Sequence, residues 1–334
     1  MNHVTVVICN FNYAQFIGKA IDSALAQDYP FVRVMVIDDG STDESRRVIE
    51  SYGSRIRPIF KENGGQGSAY NLAISQLETE YAVMLDADDL LYPTAVSRAV
   101  ELLDLGYAKV QFRLDVLNGD GRPTGTHVPH SEPSETCGEL LADGWLYPSP
   151  PASGHVYQVS ALQRIFPVPE LDVNRYGADF YAIYGVALQG RVATIPYVLG
   201  GYRVHQSTGS DASFANSEDY QTVSEACIER WSLLRQIAAK RIGVVLSPTC
   251  HDFAVEKAQF CRGIYRAPFK SRWHWLLNDS GNYLHTVVAN PFWSLRKKLG
   301  MLFLSSLCLL PFPSISNFAV RYIVNPASRQ RRMT

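Results

Sequence analysis

Two clusters of carboxylates stand out in the chain. Asp86-Ala87-Asp88-Asp89 follows the apolar run Tyr81 to Leu85, and Asp38-Asp39-Gly40 follows the apolar run Val32 to Ile37. On a strand, alternate side chains share a face, so Asp86 and Asp88 point the same way. Carboxylates placed like this suit a hard divalent cation, which takes oxygen ligands and can share them with phosphate oxygens. Spacing alone leaves blander readings open: an acidic turn ahead of a helix at Thr94, and a β-turn with a helix cap after Asp39. The glycines at Gly64, Gly65 and Gly67 match neither Gly-x-Gly-x-x-Gly nor a P-loop, and no Gly-Lys-Ser/Thr follows. They read as a strand-to-helix turn close to any bound phosphate.

The elements that must position these residues alternate over the first hundred positions. Val4 to Cys9 is a β-branched run of the kind buried on both faces of a parallel sheet. Phe16, Ile17, Ala20, Ile21, Ala24 and Leu25 then fall on one helical stripe. Val32 to Ile37 is the second strand, and Ser41 with Glu44 forms a Ser-x-x-Glu capping box for a helix through Ile49. Strands at Ile56 to Phe60 and Tyr81 to Leu85 enclose a helix at Gly67 to Leu77, and another helix covers Thr94 to Leu105. This alternation predicts an α/β fold with a parallel sheet and right-handed crossovers, in which ligands bind beyond the carboxyl ends of the strands. Both acidic clusters lie at that edge.

After Lys109 the pattern changes. Val110 to Val116, Asn118-Gly119-Asp120-Gly121 and Thr126 to Val128 read as a hairpin, and Tyr147-Pro148-Ser149-Pro150-Pro151 as extended loop. Helices are expected at Ser160 to Ile165 and Asp179 to Leu188, with strands near Val192 and at Val198 to Val204. From about Ser217 the pattern is mostly helical.

The 334 residues can hold one large domain or a main domain with an annex. With 46% hydrophobic and 19% charged residues and a net charge of -1, the chain reads as globular, with no field suited to nucleic acid. Six scattered cysteines form no Cys-x-x-Cys pair and no zinc pattern, which suits a reducing compartment. The start lacks the basic leader and long apolar run of a signal peptide. The end is basic: no Asp or Glu follows Asp279, while Arg296, Lys297, Lys298, Arg321, Arg329, Arg331 and Arg332 do. An apolar stretch at Leu299 to Leu310 is broken by Pro311 and Pro313, so a membrane-surface segment is expected over 296–324 rather than a full span.

Four ordered segments resemble the family 2 glycosyltransferases: Val6 to Tyr13 with Phe16 to Gln27, Val36 to Asp43, Asn63-Gly64-Gly65-Gln66-Gly67-Ser68-Ala69-Tyr70-Asn71, and Asp86 to Asp89. The resemblance implies a GT-A fold, a Rossmann-like, mostly parallel mixed sheet flanked by helices, over residues 1–210. A helical C-terminal region would cover 211–334. It implies inverting transfer from a nucleotide-diphosphate sugar, usually a UDP-sugar, with Mg²⁺ or Mn²⁺. Asp39 would hydrogen-bond the base, the backbone at Cys9, Asn10 and Phe11 would line its pocket, and Asp86 would face the ribose. Gly65 and Asn71 belong to the matching glycine-rich segment and join the nucleotide-sugar site. Asp88 would bind the metal. The family's usual proline is Cys9 here, a change at a backbone contact.

In Tyr176-Gly177-Ala178-Asp179-Phe180-Tyr181 the usual Glu-Asp pair is Ala178-Asp179, which leaves Asp179 as the general base. Tyr202-Arg203-Val204-His205 resembles the family's Tyr-Arg-x-His stretch, which implies Arg203 as a diphosphate contact and His205 as a further metal ligand or a phosphate contact. His155 is a further residue that could line the acceptor pocket. The expected acceptor is a carbohydrate or lipid-linked hydroxyl in bacterial-type polysaccharide or glycolipid assembly, and the expected place is the inner face of the cytoplasmic membrane. Two rivals make different demands. A sugar-nucleotide nucleotidyltransferase calls for a basic glycine-rich signature near the first strand, and none is present. A non-catalytic nucleotide-sugar binder or membrane scaffold has no need of Asp39, Asp86, Asp88 and Asp179 all intact.

Overall fold

The computed structural model describes residues 2–205, 220–278 and 282–324. They fall into two compact units: 2–143, 147–205 and 230–247 in the first, and 144–146, 220–229, 248–278 and 282–324 in the second. The boundary expected near residue 210 lies outside the described residues, as do Gln206, Ser207 and the basic positions Arg329, Arg331 and Arg332.

The first unit opens with the expected alternation: β1 (Val4–Asn10), α1 (Ala14–Leu25), β2 (Val32–Asp39), α2 (Ser45–Glu50), β3 (Arg57–Lys61), α3 (Gln66–Ser75) and β4 (Tyr81–Asp86). There follow β5 (Leu90–Leu91), α4 (Ala95–Leu103), the hairpin β6 (Lys109–Leu117) and β7 (Pro123–Val128), α5 (Cys137–Ala142), β8 (His155–Gln158), α6 (Val159–Ile165) and β9 (Val192–Arg203). Between α6 and β9 a short helix carries Asp179 and includes a π-helical turn at Tyr181–Gly185. Among the described residues nine strands form one sheet in the order β3-β2-β1-β4-β8-β6-β9-β5, with β7 on β6. The strands β3, β2, β1 and β4 run parallel, as do β6 and β9, and the other pairs are antiparallel. The result is a mixed sheet flanked by helices.

The apolar runs explain this frame. Val6 and Ile8 on β1, Val34 and Val36 on β2, and Val83 and Leu85 on β4 are buried and share one core with Ile17, Ala20, Ile21 and Ala24 of α1. Each such aliphatic side chain contributes about 1.5–3 kcal/mol on full burial. Register then sets the edge. Asn10 sits opposite Asp38, Cys9 opposite Asp86, and Asp39 opposite Lys61. The acidic clusters thus emerge side by side because β1 separates the two strands that carry them.

Two expectations fail. There is no Ser41–Glu44 capping box: Ser41 Oγ instead donates to the buried Asp38 carboxylate at 2.6 Å, and Glu44 pairs with Arg47 at 2.6 Å. The first amides of both neighbouring helices go to Asp43, which accepts from Ser45 N and Ala14 N at 2.9 Å each. The two strands expected near Val192 and Val198 to Val204 are one, β9, which runs through Pro196 with shifts in its register on β6.

Helix α7 (Tyr220–Ile237) begins in the second unit and ends in the first. The second unit continues with α8 (Phe253–Arg266), α9 (Arg272–Asn278), α10 (Tyr283–Ala289), α11 (Leu295–Leu307) and α12 (Pro313–Val324). Its core gathers Phe260, Ile264, Tyr283, Val287, Met301, Cys308, Ala319 and Ile323, with the Phe260 and Tyr283 rings stacked at 4.0 Å. Among the described residues no helix is long and apolar enough to cross a membrane.

The frame is testable. Ile8 is fully buried on β1 while Arg33 on β2 is exposed. Ile8→Ala is expected to cost about 2–5 kcal/mol in urea unfolding, and Arg33→Ala to stay within about 0.5 kcal/mol of wild type.

Candidate active site

The carboxyl edge of the sheet holds two kinds of carboxylate. Asp38 and Asp39 are saturated. Asp38 Oδ1 accepts from Asn10 Nδ2 at 2.7 Å and Ser41 Oγ at 2.6 Å, and Oδ2 accepts from Ser41 N at 3.2 Å. Asp39 Oδ1 accepts from Lys61 Nζ at 2.6 Å and Gly64 N at 2.9 Å; Oδ2 accepts from Gly65 N at 2.7 Å and Asn63 Nδ2 at 3.2 Å. Asp39 therefore anchors the glycine segment through two backbone amides. Asn10 uses its Nδ2 on Asp38 and Ser41, and its buried Oδ1 has no donor among the described residues. Asn12, at φ +58, accepts from Thr42 N at 2.8 Å and pins the Ser41–Asp43 turn to the β1 end. Phe11 beside it is exposed.

The carboxylates around β4 differ. Burial holds the Asp86 carboxyl well above its usual range, and the charges of Asp89, Asp179 and Asp88 push the same way. Asp89 is pushed up to about 7 by burial and by Asp88, although Ser153 Oγ donates to it at 2.6 Å and Arg203 N at 2.8 Å. Asp88 Oδ2 lies 2.6 Å from His205 Nε2, on a half-exposed imidazole beside the rings of Tyr13 and Phe16. Burial and the charges of Asp86 and Asp39 keep the Cys9 thiol protonated. Tyr13 feels Asp88, Asp86 and Asp89 together, so these groups share one electrostatic environment.

Asp179 joins it from a distant part of the sequence. Burial raises its carboxyl above the usual range, while Arg230 and the amides at the helix start pull it down. Burial raises the hydroxyls of Tyr70, Tyr157 and Tyr202, and the charges of Asp86 and Asp179 add to it at all three. The glycine segment holds the Asp179 loop in place. Gly65 has φ +85, and a Cβ there would stand 2.7 Å from Arg175 Cα; one on Gly67 would stand 2.8 Å from Asn174 O. Only glycine permits that approach. Across it, Gln66 N donates to Arg175 O at 3.0 Å and Ala178 N to Gln66 Oε1 at 2.8 Å. Arg230 closes the loop from α7 by bonding Val173 O at 2.8 Å and Tyr176 O.

Three expected contacts are committed elsewhere. Arg203 is 3% exposed, and its guanidinium bonds main-chain oxygens, Asp88 O at 2.8 Å and Gly119 O at 3.0 Å, so it braces the acidic turn rather than reaching for a diphosphate. Asn71 gives both amide atoms to Val168, at 2.8 Å to N and 2.8 Å to O, and so holds the loop after α6. His155 is fully buried, with Nε2 3.0 Å from Ser149 Oγ, and lines no acceptor pocket.

The sequence reading missed several residues that shape the site. Ser153 bridges Asp86 N, at 3.1 Å, and Asp89. It directly follows the proline-rich stretch, which gave no hint of its role. Lys61 could have been found, because β2 and β3 end together and place it opposite Asp39. Lys109 is fully buried and donates to Ile183 O at 2.9 Å, in the π-helical turn that follows Asp179. Tyr147 OH reaches the same carbonyl at 2.7 Å.

The residues present fit a divalent cation. Asp88 and His205 offer an oxygen and a nitrogen donor at contact distance, beside carboxylates whose mutual repulsion a cation would relieve. Among the described residues no three His, Cys, Asp or Glu side chains form a ready cage.

Comparison with known proteins agrees with this fold. The profile described as Glycosyl transferase family 2 matches residues 5–166. An uncharacterized glycosyltransferase of Nostoc sp. is 32% identical over 234 residues, which cover 68% of this chain and 72% of that protein. The succinoglycan biosynthesis protein ExoO of Rhizobium meliloti is 36% identical over 122 residues, 36% of this chain and 35% of ExoO. Among solved structures, S. aureus TarS 1-349 in complex with UDP superposes with a TM-score of 0.55 at 16% identity, covering 99% of this chain and 92% of that one. That last likeness is one of fold.

Lys109 yields a pH test. Burial pulls its ammonium from 10.5 down to about 7. Between those limits the unfolded chain binds the proton that the folded chain lacks, so Lys109 makes stability rise with pH by up to about 1.4 kcal/mol per unit. Urea midpoints of wild type relative to Lys109→Met are expected to climb from pH 7 to 9; parallel curves would contradict the burial of an uncharged lysine.

Proposed function

Because the chain belongs to glycosyl transferase family 2, we propose that its first unit transfers a sugar from a nucleotide-diphosphate donor, a UDP-sugar, to an acceptor hydroxyl with inversion. The observation that carries this reading is the meeting of Asp86, Asp88 and Asp179 in one electrostatic environment beyond the strand ends.

In this reading the nucleotide lies along the β1 and β2 ends, over the backbone of Cys9, Asn10 and Phe11. Asp39 takes a base N–H once Lys61, the one ammonium among the donors named above, moves aside. Gly65 brings backbone close to the donor, and Asp86 faces the ribose. Asp88 and His205 would hold Mg²⁺ or Mn²⁺, whose charge would stabilise the departing diphosphate. Arg203 and Asn71 act indirectly, by bracing the acidic turn and the loop after α6. Asp179 is the base. As the acceptor oxygen bonds to the anomeric carbon and the bond to diphosphate breaks on the opposite face, Asp179 removes the hydroxyl proton. A carboxylate raised by burial is a better match to that task than one at its ordinary value.

The similarity to ExoO supports polysaccharide assembly as the setting. The reading adds glycolipid assembly as the other setting, a carbohydrate or lipid-linked acceptor, and a place at the inner face of the cytoplasmic membrane suggested by the basic, apolar end of the chain. Asp179→Asn is expected to keep UDP affinity, measured by calorimetry with Mn²⁺, within about twofold while a donor panel shows transfer reduced by about 10²–10⁴-fold. Wild-type transfer is expected to fall on acidification at a pH above the ordinary aspartate range. Undiminished transfer in excess chelator would refute the metal assignment, and pyrophosphate release from a nucleoside triphosphate with a sugar phosphate would replace the transferase reading.

A further inference from the structure

The helix pair α11–α12 of the second unit has an inner face that is accounted for and an outer face that is not. Met301 and Ser305 of α11, Cys308 just after it, and Ser316, Ala319 and Ile323 of α12 turn inward and are buried. Arg272 ties the pair together, bonding Cys308 O at 2.8 Å and Ser316 Oγ at 2.7 Å. The outward side chains are large and apolar. Leu295, Leu299 and Phe303 recur every four residues along α11, at 71%, 57% and 63% exposure. Phe312, Ile315 and Phe318 follow at spacings of three and are also exposed. Of the sixteen exposed large hydrophobic side chains among the described residues, these six fall within one stretch of 24 positions. Scattered exposure is ordinary, but a concentration of this kind marks a surface that meets something apolar.

Charge chooses the partner. Arg296 and Lys297 are exposed on the first turn of α11 with Lys298 beside them, and Lys297 Nζ lies over the Trp293 ring at 4.4 Å. The sequence carries no acidic residue beyond Asp279. A second copy of the chain docking face to face would bring these cations against their own kind. Helices of 13 and 12 residues are too short to span a bilayer. An apolar stripe with a wholly basic border instead matches the boundary between anionic headgroups and acyl chains.

We propose that α11 and α12 dock the second unit on an anionic lipid surface, with Leu299, Phe303, Phe312 and Phe318 entering the acyl boundary and Arg296 and Lys298 meeting the headgroup phosphates. This rests on the peripheral membrane placement proposed above and supplies its contact surface. It requires nothing of the nucleotide site.

The test is flotation of the purified full chain with vesicles of phosphatidylcholine alone or mixed with phosphatidylglycerol. Wild type is expected to float with the mixed vesicles, to bind them at least about tenfold more tightly than the neutral ones, and to be released by salt. Leu299→Glu/Phe303→Glu and, separately, Arg296→Gln/Lys298→Gln are each expected to weaken binding at least about tenfold with an unchanged melting curve. These side chains lie outside the core; should the first variant melt early, Phe312→Ser is the replacement probe. Equal binding to both vesicle types, equal binding by the variants, or no binding at all would overturn the proposal. So would self-association of wild type without vesicles that Phe303→Glu abolishes, since the stripe would then join copies of the chain. Calorimetry with UDP and Mn²⁺ on the same samples separates the two readings: lost nucleotide binding with intact flotation counts against the transferase assignment alone.

Discussion

Like charges crowded into a low-dielectric place govern this molecule. The pairing of β1 with β2 on one side and β4 on the other puts Asp38, Asp39 and Asp86 at one rim, and the turn after β4 adds Asp88 and Asp89. Unrelieved, such a cluster would protonate or push the strands apart. The structure answers with donors of two origins. Backbone amides and Lys61 satisfy Asp39, and Ser153 with the Arg203 amide satisfies Asp89. Asp86 is left with a carboxyl raised by burial and by its acidic neighbours, and Asp88, among the described residues, has the His205 imidazole as its side-chain partner. The satisfied carboxylates build the frame. The unsatisfied ones are where binding a cation releases the most repulsion.

Arg203 shows how the frame and the site depend on each other. Its guanidinium is spent on the carbonyls of Asp88 and of the β6–β7 turn, with its plane against Phe16 at 4.7 Å. A buried cation so placed fixes the direction in which the acidic turn points without neutralising the carboxylates that face the edge. Its amide meanwhile binds Asp89, so one residue of β9 holds both the Asp88 carbonyl and the Asp89 carboxylate.

Much of this was legible in the sequence because it is local. The β-branched runs, the helical stripe of α1 and the strand-end position of both acidic clusters follow from periodicity, and the four ordered segments that resemble the family carried the fold. The non-local part was hidden. Whether Asn71 faces a ligand or Val168, and whether Arg203 meets a phosphate or a carbonyl, depends on loops about a hundred residues away in sequence, which residue type alone does not reveal. The capping box failed for the same reason: its spacing was right, but Ser41 Oγ donates to a buried carboxylate instead of accepting from a helix amide.

The glycine segment draws these threads together. Asp39 grips the amides of Gly64 and Gly65 on one side, and the bare Cα of Gly65 meets Arg175 on the other. Four residues on from Arg175 stands Asp179. A short run of backbone, bare of side chains at Gly64, Gly65 and Gly67, therefore links the carboxylate expected at the base of the nucleotide to the one expected at the acceptor hydroxyl. A phosphate cradle would explain the glycines only by their closeness to a ligand. The contacts with Asn174 and Arg175 explain why a side chain is excluded at Gly65 and Gly67 in particular: the two halves of the site are held at a fixed separation by direct contact of main chain with main chain.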